Sequence, residues 1–288
     1  MKDERRLPRW FLQPVRSGGN MREVEELLKR YELNTVCESA RCPNRMECFA
    51  RGTATFMIMG DRCTRGCVFC GVKKGEPLPL DEGEPQRVAE VAKRLELEHV
   101  VVTSVTRDDL DDGGAGHFAA TIRAVHEALP EASVEVLVPD FQGSEESLAT
   151  VVQARPNVFN HNLETVRRLY RKVRPQAEYQ RSLRLLRLAK ELNSGLVSKS
   201  GLMVGLGEKR EELEAAFFDL ARAGCDILTL GQYLRPRASC LEVERFWEPR
   251  EFAELEDIAR GCGLREVVSA PLVRSSYRAK ESMQRITC

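Results

Sequence analysis

From residue 53 onward the chain alternates short apolar, β-rich runs with stretches in which apolar residues recur every three or four positions. Residues 53–60 (TATFMIMG) read as a strand. Residues 84–97 read as a helix, with Val88, Val91, Ala92 and Leu95 at helical spacing. Pro85 falls in its first turn, where a missing N–H costs nothing. The same pattern predicts strands at 99–104, 133–138, 157–160, 197–206 and 226–233, and helices at 118–129, 145–154, 180–192 and 210–223. Six strands separated by helices imply parallel βαβ units, which right-handed crossovers close or half-close into a barrel. An open doubly wound sheet is the alternative. No G-x-G-x-x-G follows the first strand, whose exit is Gly60-Asp61-Arg62-Cys63. In a parallel barrel the functional groups sit at the C-terminal strand ends, and polar clusters fall there: Cys63 to Cys70, Ser104 to Asp109, and Asn160-His161-Asn162.

Composition adds constraints. A chain of 288 residues suits one large domain or two ordinary ones. With 44 basic and 44 acidic residues the formal charge is zero, which points to neither nucleic acid nor membrane as a partner. No run approaches the ~18 apolar residues of a membrane span, and the charged start lacks the apolar core of a secretory signal. A cytoplasmic protein is expected. Ten cysteines are then a heavy load, because disulfides do not persist in a reducing cytosol. Metal becomes the leading explanation. Six of the ten fall between Cys37 and Cys70, whereas Cys225, Cys240, Cys262 and Cys288 are scattered and read as core or incidental thiols.

Cys63, Cys67 and Cys70 are spaced C-x3-C-x2-C, with no fourth Cys or His in the next ten residues. Zinc sites draw on four ligands, commonly in paired C-x-x-C spacings. Three thiolates instead fit a 4Fe-4S cluster with one iron left open. Zinc with a distant fourth ligand, or three plain thiols, are the alternatives. The loop also carries Arg62, Arg65, Lys73 and Lys74, a setting suited to an anionic cluster. With Phe69 before the last cysteine and a strand before the first, the run resembles the signature of the radical S-adenosylmethionine superfamily. There the open iron binds S-adenosylmethionine, and an electron cleaves it to methionine and a 5'-deoxyadenosyl radical that abstracts hydrogen from unactivated C–H bonds.

Upstream, Cys37, Cys42 and Cys48 form a second triplet, C-x4-C-x5-C, readable alone as a zinc knuckle or as a second cluster with a remote fourth ligand. Together with residues 33–44 and 51–61, Thr103-Ser104-Val105, Arg107-Asp108-Asp109-Leu110, Gly113-Gly114-Ala115, residues 159–166, 201–208 and 228–234, and Arg274-Ser275-Ser276-Tyr277, it closely resembles the lipoyl synthase family over about residues 30 to 280. The resemblance implies an α/β fold, a partial (β/α)6 parallel barrel spanning 51–240. An N-terminal extension (1–50) and a C-terminal extension (241–288) would carry an auxiliary iron-sulfur cluster.

The implied activity is that of a sulfurtransferase. Two sulfur atoms enter at carbons 6 and 8 of an octanoyl chain, itself amide-linked to a lysine of a lipoyl carrier protein or domain. Two 4Fe-4S clusters and S-adenosylmethionine are the implied cofactors. Cys63, Cys67 and Cys70 would hold the cluster that cleaves S-adenosylmethionine. Cys37, Cys42, Cys48 and Ser276 would hold the auxiliary cluster, consumed as the sulfur source. A serine alkoxide is a harder, less usual iron ligand than thiolate, so Ser276 marks the iron to be released. Phe69, Ser104, Arg107 and Asn162 are the candidate cofactor contacts, and Gly113-Gly114 could admit a close approach. His161 reads as a satisfied structural residue, while Arg174 and Arg235 read as solvated or as facing an acidic carrier. Implied partners are a glycine-cleavage H protein or 2-oxoacid dehydrogenase E2 domain, and an electron donor such as ferredoxin or flavodoxin. The chain departs from the family at Cys240, where a histidine is usual, and at Ser269-Ala270-Pro271. Rival readings are another radical enzyme with an auxiliary cluster, a ferredoxin-like carrier, and a zinc-stabilised module without catalysis.

Overall fold

The computed structural model describes residues 7–12, 21–51 and 54–287. Its main sheet takes strands in the order β1 (Asn34–Thr35), β2 (Thr55–Ile58), β3 (His99–Ser104), β4 (Ser133–Leu137), β5 (Val158–Asn160), β6 (Val197–Val204), β7 (Ile227–Gln232) and β8 (Glu266–Ser269). Every pair from β2 to β8 is parallel, and β1 runs antiparallel to β2. All six strands expected from the apolar pattern are present, although Thr53 lies outside the described residues. The sheet gains a seventh parallel strand, β8, from residues expected to form only an extension. Strand order is linear, so the barrel stays open between β1 and β8.

Strand side chains alternate between two faces. Phe56, Ile58, Val100, Val102, Val134 and Val136 are buried toward the surrounding helices, among them α1 (Glu84–Arg94), α2 (Ala115–Ala128), α3 (Glu145–Gln153), α4 (Tyr179–Leu192) and α5 (Arg210–Arg222). The opposite set faces the lumen and is partly polar. Lys199 donates to both Glu135 oxygens at 2.8 and 3.0 Å, and Asn160 Nδ2 donates to Glu135 at 3.2 Å. Burial works to raise the Glu135 pKa, but Lys199 and His99 together outweigh it and hold the carboxyl down at about 2.

The last helix, α6 (Ala279–Thr287), closes the N-terminal mouth of the barrel. Its Met283 and Ile286 pack on Val158, Val197 and Ile227, the first residues of three neighbouring strands. Arg285 pairs with Glu266 at 2.8 Å, and Lys280 pairs with Glu98.

Candidate functional site

The loop leaving β2 turns sharply. Met59 adopts φ 67°, held by its N–H to Glu84 at 2.8 Å, while Glu84 also meets His117 at 2.7 Å. The Met59 side chain occupies the space a Cβ at Gly114 would need, its sulfur 2.3 Å from that position. Gly113 is likewise filled by Phe141 at 3.2 Å. The two glycines thus accept neighbouring side chains, which differs from the expected approach of a cofactor.

A short parallel ribbon, Arg62–Cys63 with Lys73–Lys74, then brackets the thiol loop. Cys63 Sγ accepts from the N–H groups of Arg65 (3.4 Å) and Thr106 (3.3 Å). Arg65 reaches inward, with two bonds to Asp108 at 2.6 and 2.8 Å and one to Asp140 at 2.6 Å. Arg181 binds the other Asp140 oxygen at 2.7 Å. Burial pushes the Asp140 pKa up, but the Arg65 bonds and charge outweigh it and hold the carboxyl well below its usual range. Arg65 therefore ties the loop after β2 to those after β3 and β4. Of the four basic residues expected to offset an anionic cluster, it alone turns inward; Arg62, Lys73 and Lys74 are exposed.

Cys67 faces Arg174, which is buried rather than solvated. The Arg174 guanidinium donates to the Asn162 and Leu163 carbonyls at 2.8 and 3.3 Å, while its Nε has no partner. Burial raises the Cys67 pKa against the pull of Arg174, and burial pushes Cys70 up to about 12. The half-buried Glu164, also near Cys67, is raised by burial. Cys63, Cys67 and Cys70 are coupled electrostatically. Among the described residues no three Cys, His, Asp or Glu side chains converge as a single ion requires. Thiolates are the ligands that iron-sulfur clusters take.

The candidate cofactor contacts separate into two kinds. Ser104 Oγ and Asn162 Oδ1 are buried without partners, an arrangement costly unless a ligand meets them. Gly201 makes room for Asn162, whose Oδ1 lies 2.7 Å from where a Cβ would stand. Phe69 is half-buried against the core. Arg107 is instead committed to Asp109, with three bonds of 2.8 to 3.1 Å, and reaches the Met59 carbonyl. It shapes the turn. His161 is satisfied on both nitrogens, by the Val138 carbonyl and Ser182 at 2.9 Å, and burial lowers its pKa to about 4. Arg235 lies at the surface, paired with Glu242 at 3.2 Å.

The second triplet lies at the other end of β2. Thr35 caps the short helix Val36–Ser39, accepting from the Glu38 N–H at 3.3 Å, and this seats Cys37 beside Thr55. Burial, then the neighbouring Cys42, pushes the Cys37 pKa up to about 11. Cys48 sits on the helix Arg45–Ala50. The segment after β8 enters the barrel, so that a Cβ at Gly231 would lie 2.0 Å from the Val273 carbonyl oxygen. Ser275 accepts from Asn162 Nδ2 at 2.7 Å, and Ser276 accepts from the Thr55 hydroxyl at 2.8 Å. Asn44 donates to the Leu272 carbonyl at 2.7 Å. Tyr277 donates to Glu47 at 3.3 Å. Cys37, Cys42, Cys48 and Ser276 thereby line one cavity of about 430 Å³. The two thiol sets approach where Gly71 packs against Ala40 and Pro236, and Cys240, just beyond, donates to the Cys70 carbonyl at 3.4 Å. Cys225 and Cys262 lie away from both sets, bonded to the carbonyls of Ile227 and Glu214. Cys288 lies outside the described residues.

Sequence reasoning gave no role to Glu164 or Thr55, and it named Arg65 only as one of four loop cations. Arg65 and Thr55 act through partners far along the chain, Asp108 and Asp140 for the one and Ser276 for the other, whereas Glu164 accepts from Asn162, two residues away.

Comparison with known proteins agrees with this geometry. Residues 57–220 match the family model described as the Radical SAM superfamily. The lipoyl synthase of Caldanaerobacter subterraneus subsp. tengcongensis is 57% identical over 95% of this chain and 96% of its own length. That of Rubrobacter xylanophilus is 52% identical over 96% and 86%. Among solved structures, methylornithine synthase aligns with a TM-score of 0.57 at 16% identity, covering 88% of this chain and 83% of its own. Streptococcus suis SuiB bound to S-adenosylmethionine gives 0.58 at 11%, covering 86% and 54%. These two likenesses speak for the fold alone, while the curated relatives settle the membership: the chain belongs to the lipoyl synthase family of the Radical SAM superfamily.

Proposed function

We propose that this chain catalyses the lipoyl synthase reaction with its two thiol sets in separate roles, inserting sulfur at carbons 6 and 8 of an octanoyl chain on a carrier-protein lysine. When bound, the clusters supply an electron for cleavage of S-adenosylmethionine at Cys63, Cys67 and Cys70, and sulfur at Cys37, Cys42, Cys48 and Ser276. Protein residues position and exclude, and the cofactors carry the chemistry. Ser104 and Asn162 offer unpartnered polar atoms to S-adenosylmethionine. Phe69 packs the thiol loop onto the core, and Arg107 holds the turn beneath it. The division into 1–50, 51–240 and 241–288 follows these roles: the middle segment carries the first thiol set, and the outer two meet to form the second. The fitting carriers are a glycine-cleavage H protein or a 2-oxoacid dehydrogenase E2 domain, with ferredoxin or flavodoxin as electron donor.

The observation that carries this reading is the single cavity where three cysteines from the front of the chain meet Ser276 from its end. The test is anaerobic incubation of reconstituted protein with S-adenosylmethionine, dithionite and an octanoyl-lysine peptide. Cys37→Ala should abolish sulfur insertion and remove about half the bound iron, yet still form 5'-deoxyadenosine. Cys63→Ala should abolish both reactions. Sulfur insertion surviving in Cys37→Ala would refute the division of roles.

A further inference from the structure

We propose that the exposed cationic surface around the first thiol loop is the docking site for a small acidic protein that delivers single electrons. This rests on the reading that Cys63, Cys67 and Cys70 hold a redox cluster. Three chain segments meet at Gly71, where a Cβ would lie 3.0 Å from Pro236 Cβ and 3.3 Å from Ala40 Cα. With the ribbon they bring together Arg41, Arg62, Lys73, Lys74 and Arg235, with Arg237 half-buried beside them. The carboxylates of the same stretches are Glu38, which pairs with Arg45 at 3.3 Å, and Asp61, Glu76 and Glu242. Because the whole chain is neutral, this local excess is not a by-product of bulk charge.

Arg235 is held by the Cys240 and Ala238 carbonyls and by Glu242, but the fold makes little internal use of Arg41, Arg62, Lys73 and Lys74. Arg62 and Lys73 are 51% and 62% exposed and share one carboxylate, Asp61. Lys74 reaches only the Gly66 carbonyl, at 3.5 Å. Arg41 bonds only the Pro236 carbonyl, at 3.3 Å. Leu78, four residues beyond Lys74, leaves 67% of its surface in water between two prolines. Cations around a small apolar contact suit a short-lived electron-transfer complex, whose interfaces are small and steered by charge. Access is also direct. Lys74 is the register partner of Cys63, so one strand spacing, about 5 Å, separates the outer strand from the thiol strand. The electrons balance: the donor loses one, and one S-adenosylmethionine accepts it as its carbon–sulfur bond breaks to methionine and a 5'-deoxyadenosyl radical.

The test uses full-length reconstituted protein and an acidic flavodoxin as probe. Titration of oxidised flavodoxin should give a Kd that rises about tenfold between roughly 50 and 300 mM salt. The Arg62→Glu/Lys73→Glu/Lys74→Glu variant should raise it about tenfold at low salt, with Lys73→Gln/Lys74→Gln intermediate. Flavodoxin-driven formation of 5'-deoxyadenosine should fall in step, while the dithionite-driven rate and iron content stay unchanged. A Kd indifferent to salt and to these substitutions overturns the proposal, and so does weakened binding of an octanoylated carrier domain instead of flavodoxin. Absence of dithionite-driven cleavage in the unaltered protein would refute the underlying cluster reading itself, a distinct result.

Discussion

The two ends of β2 are built by opposite means. At its C-terminal end the first thiol loop is contained within one contiguous segment and tied down by buried charge, Arg65 to Asp108 and Asp140, and Arg181 to Asp140. At its N-terminal end the second set is assembled from both ends of the chain by uncharged hydroxyl and amide contacts, Thr55 to Ser276 and Asn44 to Leu272, with long ion pairs made by solvent-facing arginines beside them, Arg51 to Glu281 and Arg278 to Glu47. Breaking one partner of a buried ion pair costs several kcal/mol, whereas a neutral hydrogen bond is worth about 1 kcal/mol. A site that must keep its cluster through turnover gains from the first construction. A site whose cluster is consumed and replaced gains from the second, because its walls can part cheaply.

The largest expected effect follows from removing the charge that ties the first loop. Arg65→Ala leaves Asp140 buried beside Arg181 alone and should cost about 3–5 kcal/mol, a fall in Tm of roughly 10 °C. Arg51→Ala, at an exposed pair with Glu47 and Glu281, should cost under about 1 kcal/mol. Differential scanning calorimetry of both variants decides it, and equal shifts would end the contrast.

Acid should expose the same difference. Glu135, faced by Lys199, Asn160 and His99, has a folded pKa held near 2, below its ordinary 4.5. A depressed carboxyl contributes its stability in full above the unfolded pKa and loses it as pH falls toward the folded one. The Tm should therefore drop between about pH 4.5 and 2. In Glu135→Gln that acid limb should flatten, while neutral-pH stability falls because Lys199 loses its partner. An unchanged limb would show that other carboxyls dominate.

How much of this was legible in the chain depends on the range of each interaction. The six strands showed because apolar alternation is local. β8 did not, being four residues long with its last two half-exposed. The six cysteines showed through spacing. Ser276 drew attention only through family resemblance, since nothing in a polar turn announces that it will meet Cys37, Cys42 and Cys48 in one cavity. Arg174 was misplaced on a solvated face because its burial against Cys67 is decided by topology, not by its neighbours Val173 and Pro175. Arg107, expected to contact a cofactor, is bonded to Asp109, a partner that the sequence displays two residues on.

A smaller effect is expected from Asn44→Ala, which removes the amide joining the Arg45–Ala50 helix to the Leu272 carbonyl. The loss should be about 1 kcal/mol, or about fivefold in local opening. Hydrogen exchange should quicken by that factor at residues 272–277 and stay unchanged at 63–70.

The smallest is expected from Tyr277→Phe. The hydroxyl sits at 3.3 and 3.4 Å from the two Glu47 oxygens, which are the long limit for such a bond, and Glu47 keeps Arg51 and Arg278 nearby at 3.8 Å. Removing one weak donor from a carboxylate that retains two cations should cost about 0.5 kcal/mol, so exchange at 272–277 should rise about twofold. If Tyr277→Phe instead matched Asn44→Ala, Glu47 would be acting as a charged anchor. The second site would then be held much like the first, and its cheap opening would have to come from somewhere other than its uncharged joints.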